Sequence, residues 1–277
     1  HGVAIGNGAH AKATGGYSTA VGTGSKAMGE AAVALANDAK AGGRSSVAVG
    51  REANAGGDAA ISIGESAAAN AAQAIAMGRE AKVTKNNNIA IGYKSSATGE
   101  RAVVVGPNAI ATADDATTIG SAATAKKLRS SAFGSNAKAD GIDSSALGQG
   151  AEAKADSATA IGSKAIASQG SSTSIGTEAK VAAASGVAIG AGAKVEGAGQ
   201  YGTAIGSGAS ATHSRSVALG SSSTTENAVG TNTATVGNIT YGGFAGTNPV
   251  ATVSVGNGNE KRTITNVAAG RISAAST

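Results

Sequence analysis

The 277-residue chain holds three histidines, no cysteine and few close carboxylate pairs with which to do chemistry. His1, His10 and His213 are the imidazoles, and none sits with a Ser and a carboxylate at the spacing of a nucleophile, base and orienting acid. They read as exposed loop histidines. Asp114-Asp115 and Asp140-Gly141-Ile142-Asp143 are the tight carboxylate pairs. Neither carries the full ligand set of a calcium loop, so they read as solvated turns. Absence of Cys removes disulfides, thiolate metal sites and a thiol nucleophile. No Walker-type phosphate loop occurs. The expectation is no catalytic residue, no cofactor and no metal. What remains is charge. Lys126-Lys127-Leu128-Arg129 is the densest basic turn, and Lys126, Lys127 and Arg129 are the candidate ligand-contact residues.

Composition narrows the class further. The net charge is +5, with Lys and Arg spread along the chain rather than clustered among stacking aromatics, which argues against nucleic acid. No apolar run is long enough to span a membrane, and His1-Gly2-Val3 does not begin a signal peptide. Glycine numbers 43 while aromatics number only 6 (4 Tyr and 2 Phe), yet hydrophobic residues make up 41%. Without large side chains no thick core can form, so the composition points to many thin layers.

An internal repeat supplies those layers. Val3-Ala4-Ile5-Gly6 returns as Val47-Ala48-Val49-Gly50, Ile61-Ser62-Ile63-Gly64, Ile89-Ala90-Ile91-Gly92, Val187-Ala188-Ile189-Gly190 and Val217-Ala218-Leu219-Gly220. Sixteen copies run from Gly6 to Gly220 at intervals of 14, with two intervals of 16 and one exception to the glycine, Ala36. The extra pairs fall near Ala13-Thr14-Gly15-Gly16 and within Glu196-Gly197-Ala198-Gly199-Gln200. Just before the glycine all sixteen residues are large and apolar, and two residues earlier stand nine Val or Ile, five Thr and two Ser. Between these columns lie twelve Ala, two Ser, Thr118 and Val104.

Strands alternate their faces, so Val47-Ala48-Val49 predicts a short strand with large residues on one side and Ala on the other. Ala53 and Ala55 share a face of a second strand, and the glycine permits the corner between them. One coil is then two short strands and two turns in 14 residues, and stacked coils pair in parallel. Regular glycine, period-two alternation and β-branched residues argue against a helical reading. The expectation is that Val49, Ile63, Ile91, Ile161, Ile189 and Leu219 fill the core of the roll. Ala48, Ala76, Ala90, Ala132, Ala146, Ala160 and Ala188 then form an outer face that meets a partner chain. The reverse assignment, with Val and Ile toward the partner, also satisfies the alternation. Either way one apolar face is left over, which predicts side-by-side oligomerisation. Lys26, Lys40, Lys82, Lys138, Lys180 and Lys194 recur four residues after the glycine, alternate with the Ala columns and face outward.

The Val-Ala-Ile-Gly-x-x-Ala-x-Ala unit, with Ser ahead of it in Ser46-Val47-Ala48-Val49-Gly50 and Ser216-Val217-Ala218-Leu219-Gly220, resembles the head repeat of YadA-like trimeric autotransporter adhesins. Thr252-Val253-Ser254-Val255-Gly256, followed by Arg262-Thr263-Ile264-Thr265-Asn266-Val267-Ala268-Ala269-Gly270-Arg271-Ile272, resembles the neck of such proteins. The resemblance implies an all-β, left-handed parallel β-roll that is homotrimeric, with a C-terminal neck segment. Its domains would be a head over 1–225, a roll-to-neck transition over 226–251 and a truncated neck over 252–277. It further implies an adhesin head on a bacterial cell surface, attached to the outer membrane through a region outside this chain, so that this part touches no membrane. The implied partners are host extracellular matrix proteins or cell-surface receptors, with autoagglutination as a further role. The phase is lost between Gly220 and Thr252, where Tyr241 and Phe244 are expected to plug the open end of the roll.

Two other functions fit parts of the pattern. One is a structural spacer whose binding lies elsewhere on the fibre. The other is a left-handed β-helix acyltransferase, since Ile5-Gly6-Asn7-Gly8-Ala9-His10 matches one of its hexads. That enzyme class builds its coil from three hexads, whereas this repeat keeps 14 residues.

Overall fold

The computed structural model describes residues 1–12 and 16–268. Residues 13–15, where the first long interval takes its extra pair, and 269–277, the end of the expected neck, lie outside the described residues. The chain divides into two compact units, His1–Ala165 and Ile166–Thr277. Both are parallel β-solenoids, together holding about 15 coils, with no helix among the described residues.

In the first unit each coil carries a three-residue strand such as Val47–Val49 and a two-residue strand such as Asn54–Ala55. The repeat sets the register. Val47 pairs with Ile61, Ala48 with Ser62 and Val49 with Ile63, so each column stacks on itself. Gly64 N donates to Val49 O at 2.8 Å, and Asn54 N to Ala67 O at 2.8 Å. Two turns close the coil, held by Ala53 N to Gly50 O at 3.1 Å and Ala60 N to Gly57 O at 3.2 Å. Each turn has a residue in the left-handed region, Glu52 at φ 58° and Ala59 at φ 53°.

The interior is lined by small side chains from both strands and both turns. Ala48, Ala53, Ala55 and Ala60 of one coil are all fully buried. This reverses the expected faces. Ala48, Ala76, Ala90, Ala132, Ala146, Ala160 and Ala188 are at most 1% exposed within a single chain, so none can meet a partner. Val49, Ile63 and Ile161 are only half-buried, while Ile91 and Ile189 are each 38% exposed and Leu219 is 45% exposed. The reason is width. Fourteen residues enclose a narrow space into which four side chains point per coil, and methyl- and hydroxyl-sized groups fill most of it, with Val83, Val104, Asn88 and Thr118 the larger exceptions in the first unit. In one coil an enlarged column is matched by a shrunken one. In the second unit Val181 and Val195 stand inside, and opposite them is Gly186, whose added Cβ would lie 2.8 Å and 3.0 Å from their Cγ1 atoms.

The second unit continues the coil through Val217–Leu219. Its extra residue pair adds a turn, with Gly199 N donating to Glu196 O at 2.8 Å and Gly202 N to Gly199 O at 2.7 Å. The chain then leaves the coil and forms an antiparallel hairpin of Thr233–Val236 and Ile239–Gly242. It returns as Val253–Ser254, paired in parallel with the last long strand through Val217 to Val253 and Ala218 to Ser254. The expected aromatic plug is therefore not what closes the roll. Tyr241 is 50% and Phe244 41% exposed, and the end is covered by backbone. Thr224 N donates to Gly256 O at 2.9 Å, and the Arg262 guanidinium donates to Val255 O at 2.7 Å, Ser221 O at 2.7 Å and Ser223 Oγ at 3.2 Å. A strand satisfies the open N–H and C=O groups of the last coil, which an aromatic ring cannot do.

Two substitutions test this packing. Ala36 occupies the corner glycine position at φ 103°, a backbone region unfavourable for any side chain, so Ala36→Gly is expected to raise stability by about 1 kcal/mol. Gly186→Ala is expected to lower it by about 1–3 kcal/mol in the wild-type background. With Val181→Ala and Val195→Ala already present, the same change becomes nearly neutral. Thermal and denaturant melts of the single and combined variants measure both effects.

Candidate functional site

Turning the aliphatic column outward creates one long surface feature within each unit. In the first, Val47, Val49, Ile61, Ile63, Ile75, Met77, Ile89 and Ile91 lie on the outer side of the three-residue strands, none of them fully buried. No charged residue enters these two columns in any copy of the repeat. Farther along, Phe133 replaces the aliphatic residue, and the facing column shrinks to Ser131 and Ser145. Those residues, with Ala146, Leu147 and Ile161, line a shallow, mostly apolar groove of about 360 Å³. Such a continuous apolar stripe is more than the scattered apolar residues ordinary on a monomer's surface.

The parallel register also decides where charge goes. Residues 14 apart stack directly, so a base followed by an acid one coil later becomes an ion pair. Arg101 Nε and Nη2 donate to the two oxygens of Asp115 at 2.6 Å and 2.8 Å, and Arg129 does the same to Asp143 at 2.6 Å and 2.8 Å. Lys138 Nζ donates to Glu152 at 2.9 Å, Arg44 lies 3.4 Å from Asp58, and Arg51 pairs with Glu65. The bidentate arginines hold the Asp115 and Asp143 carboxyls below their ordinary pKa by hydrogen bonding. Glu152 is lowered by its hydrogen bonds from Lys154 and then Lys138.

This geometry changes the standing of the basic turn. Arg129 is engaged by Asp143, and Lys126 Nζ lies 3.0 Å from Asp140 Oδ1, an ion pair without hydrogen-bond alignment. Lys127 is exposed and has no ion-pair partner among the described residues. The three cations expected to act together thus share one turn, and two of them are neutralised.

Against this geometry the family comparison is direct. The family model described as YadA head domain repeat (2 copies) matches residues 1–25, 13–35, 41–67, 55–81, 84–109, 111–137, 139–165 and 198–223, more than half of the chain. The chain belongs to the YadA head-repeat family. As a YadA-like head it is an adhesin-type domain. A solved structure of the C-terminal YadA-like domain of a Burkholderia pseudomallei protein is 52% identical over 27% of this chain and 35% of its own length, with a TM-score of 0.25. This chain therefore spans about a third of that structure. The collagen-binding domain of the Yersinia adhesin YadA is 23% identical over 80% of this chain and 79% of its own, also at a TM-score of 0.25. No curated protein matches the chain.

Other candidate chemistry stays dispersed in the YadA-like head. His213 Nδ1 lies 2.8 Å from Thr212 Oγ1, and the ring of His1 faces Tyr17 at 5.9 Å. Asp114 accepts from Glu100 N at 2.8 Å, tying a turn of one coil to the next. Among the described residues no three His, Asp or Glu side chains gather as a metal site. The same residues include no helix long and apolar enough to cross a membrane. Two features went unnoticed in the sequence. Arg79 lies 4.5 Å over the Tyr93 ring and Lys94 Nζ 5.1 Å from it, and Lys94 is held above its ordinary pKa by hydrogen bonding to Tyr93 and by Glu80. The 14-residue step between Arg79 and Tyr93 was the available signal. The Arg262 clasp had none, because it depends on where the returning strand docks.

Asp115, Asp143 and Glu152 are lowered from 3.8, 3.8 and 4.5, so their contribution to stability is complete above those values and is lost as pH falls through the lower folded-state values. Thermal stability is therefore expected to hold from neutrality to about pH 5 and to fall only in stronger acid. Arg129→Gln should flatten that acid limb. Melts across the acid range check both.

Proposed function

We propose that this chain is the adhesive head of a surface-displayed bacterial fibre, in which three copies associate through their outward aliphatic stripes and present the charged turns laterally. One observation carries the reading. In every coil the bulky, uncharged column faces out of a roll whose interior is already full. A monomer would leave that column in water along the whole set of repeats. Membership of the YadA head-repeat family supports the adhesive role.

The proposed partners are host extracellular matrix proteins or cell-surface receptors, with head-to-head contact between cells as a further role. Ion-paired turns repeated at 14-residue steps suit many weak contacts rather than one tight site, and a trimer multiplies them. Lys127 is the basic side chain of its turn best placed to reach a ligand, with Lys126 and Arg129 held back by their carboxylates. The spacer reading assigns binding to another part of the fibre. The acyltransferase reading lacks support, because the coil keeps 14 residues and its histidines are dispersed.

Sedimentation equilibrium tests the association: the expected mass is that of three chains, and a monomer would remove the argument from the stripe. Adhesion to immobilised collagen, fibronectin and laminin tests the role. Wild type should bind at least one of them, and Lys126→Ala, Lys127→Ala and Arg129→Ala together should weaken that binding only about twofold, as expected of distributed contacts. Absence of binding to all three and to host cells would favour the spacer.

A further inference from the structure

In the first unit, vertical stacking sets several bases beside an acid, as in Arg44 with Asp58, Arg101 with Asp115 and Lys138 with Glu152. At the start of the roll it does the opposite. His10 pairs in register with Lys26, and Lys26 with Lys40, on the two-residue strands His10–Ala11, Lys26–Ala27 and Lys40–Ala41. All three side chains are exposed, while the alternating Ala27 and Ala41 are fully buried. Lys12 stands exposed two residues beyond His10. Neither Lys26 nor Lys40 has an ion-pair partner among the described residues. The acid nearest in sequence, Asp38, lays its carboxylate over Gly24 instead. The column then passes to neutral Asn54, whose amide donates to Asn70 Oδ1 at 3.0 Å. Like charges facing one another on neighbouring strands destabilise a sheet, so this ladder costs stability that a single acid would restore.

We propose that this ladder is the binding site for a linear sulfated polysaccharide, which lies across the strands with its sulfates against Lys26 and Lys40 while His10 and Lys12 extend the contact. Neighbouring strands lie about 4.8 Å apart, so the row from His10 to Lys40 spans about 10 Å. Cations fixed at a regular step in a straight row match a chain whose anionic groups recur along its length. Each contact is weak, but linkage within both partners makes them act together. No aromatic side chain stands in these columns for a base to stack on, which disfavours nucleic acid. The ladder also lies on the sheet opposite the aliphatic stripe, with the filled interior between the two. Association of copies through the stripe therefore leaves it open to solvent. A second like-charged pair, Lys180 on Lys194, occurs in the second unit, but there Glu196 stands exposed two residues beyond Lys194. The proposal rests on the adhesive reading and names one class of partner for it.

The test is retention of the whole chain on immobilised heparin at physiological ionic strength, followed by elution in rising salt. Wild type should bind, and Lys26→Ala plus Lys40→Ala should bind at least about tenfold more weakly. Lys180→Ala plus Lys194→Ala removes the same charge and should weaken binding no more than about twofold. Lys26→Glu separates recognition from packing: the new acid stacks on Lys40, so the melting temperature should hold or rise while heparin binding falls. These side chains are exposed, and far-ultraviolet circular dichroism confirms that each variant keeps the β-solenoid. Equal losses from the two lysine pairs reduce the binding to diffuse positive charge and overturn the ladder, as does a wild type that heparin does not retain. Unsulfated hyaluronan bound as tightly as heparin overturns the sulfate assignment. Duplex DNA bound as tightly, with the same dependence on Lys26 and Lys40, gives the ladder to nucleic acid instead. A chain that heparin does not retain but that adheres to collagen, fibronectin or laminin keeps the adhesive reading and loses this proposal alone.

Discussion

The narrow interior of the coil governs everything else in this protein. Four side chains per turn of the solenoid point inward, and the space they share is filled mostly by Ala and Ser, with an occasional Val, Thr or Asn. Little apolar area is buried per coil, so no single layer is stable alone. Stability comes instead from stacking, in which each coil covers the one before it and completes its backbone hydrogen bonds. The identical 14-residue step follows directly. A coil of another length keeps its columns in line only where a turn absorbs the difference, as the extra pair does between Val187 and Thr203.

A full interior sends the larger aliphatic residues outside. In most soluble domains Val and Ile drive folding by entering the core; here most of them occupy the outer face of the three-residue strands. The glycine column obeys the same geometry. At Gly50, with φ 127°, an added Cβ would lie 2.7 Å from the carbonyl group of Gly64 in the next coil, so the tight stacking itself disfavours side chains there, Ala36 being the exception in the column. Charge is organised by the same vertical register. Exposed ion pairs contribute little individually, but the stacking sets several bases beside an acid one coil away, while Lys26 stacks on Lys40 and Lys180 on Lys194, so the surface is a repeated pattern of charge. That arrangement favours weak contacts repeated over a length rather than a concentrated site.

The end of the roll answers a different problem. A solenoid must stop without leaving a strand edge open. Here the chain detours through 226–251, returns as one more short strand and is clasped by Arg262. The detour carries exposed apolar side chains, among them Val236 and Ile239, that do not pack on the roll.

Much of this architecture could be read from the residues alone. The recurrence of Gly at fixed steps and the alternation of large and small residues determined the coil length, the two strands per coil, the parallel register and the absence of helix among the described residues. These are local periodicities, and a strand has only two faces. Which face turns inward was not legible, because alternation is symmetric: Val49 and Ala48 exchange roles without altering the pattern. Only the closed coil decided it, since the distance between its two sheets sets the size of residue that fits. The pairing of Arg129 with Asp143 was implicit in the 14-residue step, yet the turn still read as a free basic patch, because a run such as Lys126-Lys127-Leu128-Arg129 shows its neighbours along the chain and not those one coil away. The closure by Val253 and Arg262 lay further still from the sequence. It depends on a non-local contact across a segment with no repeat, and such contacts are settled by where the whole chain comes to rest.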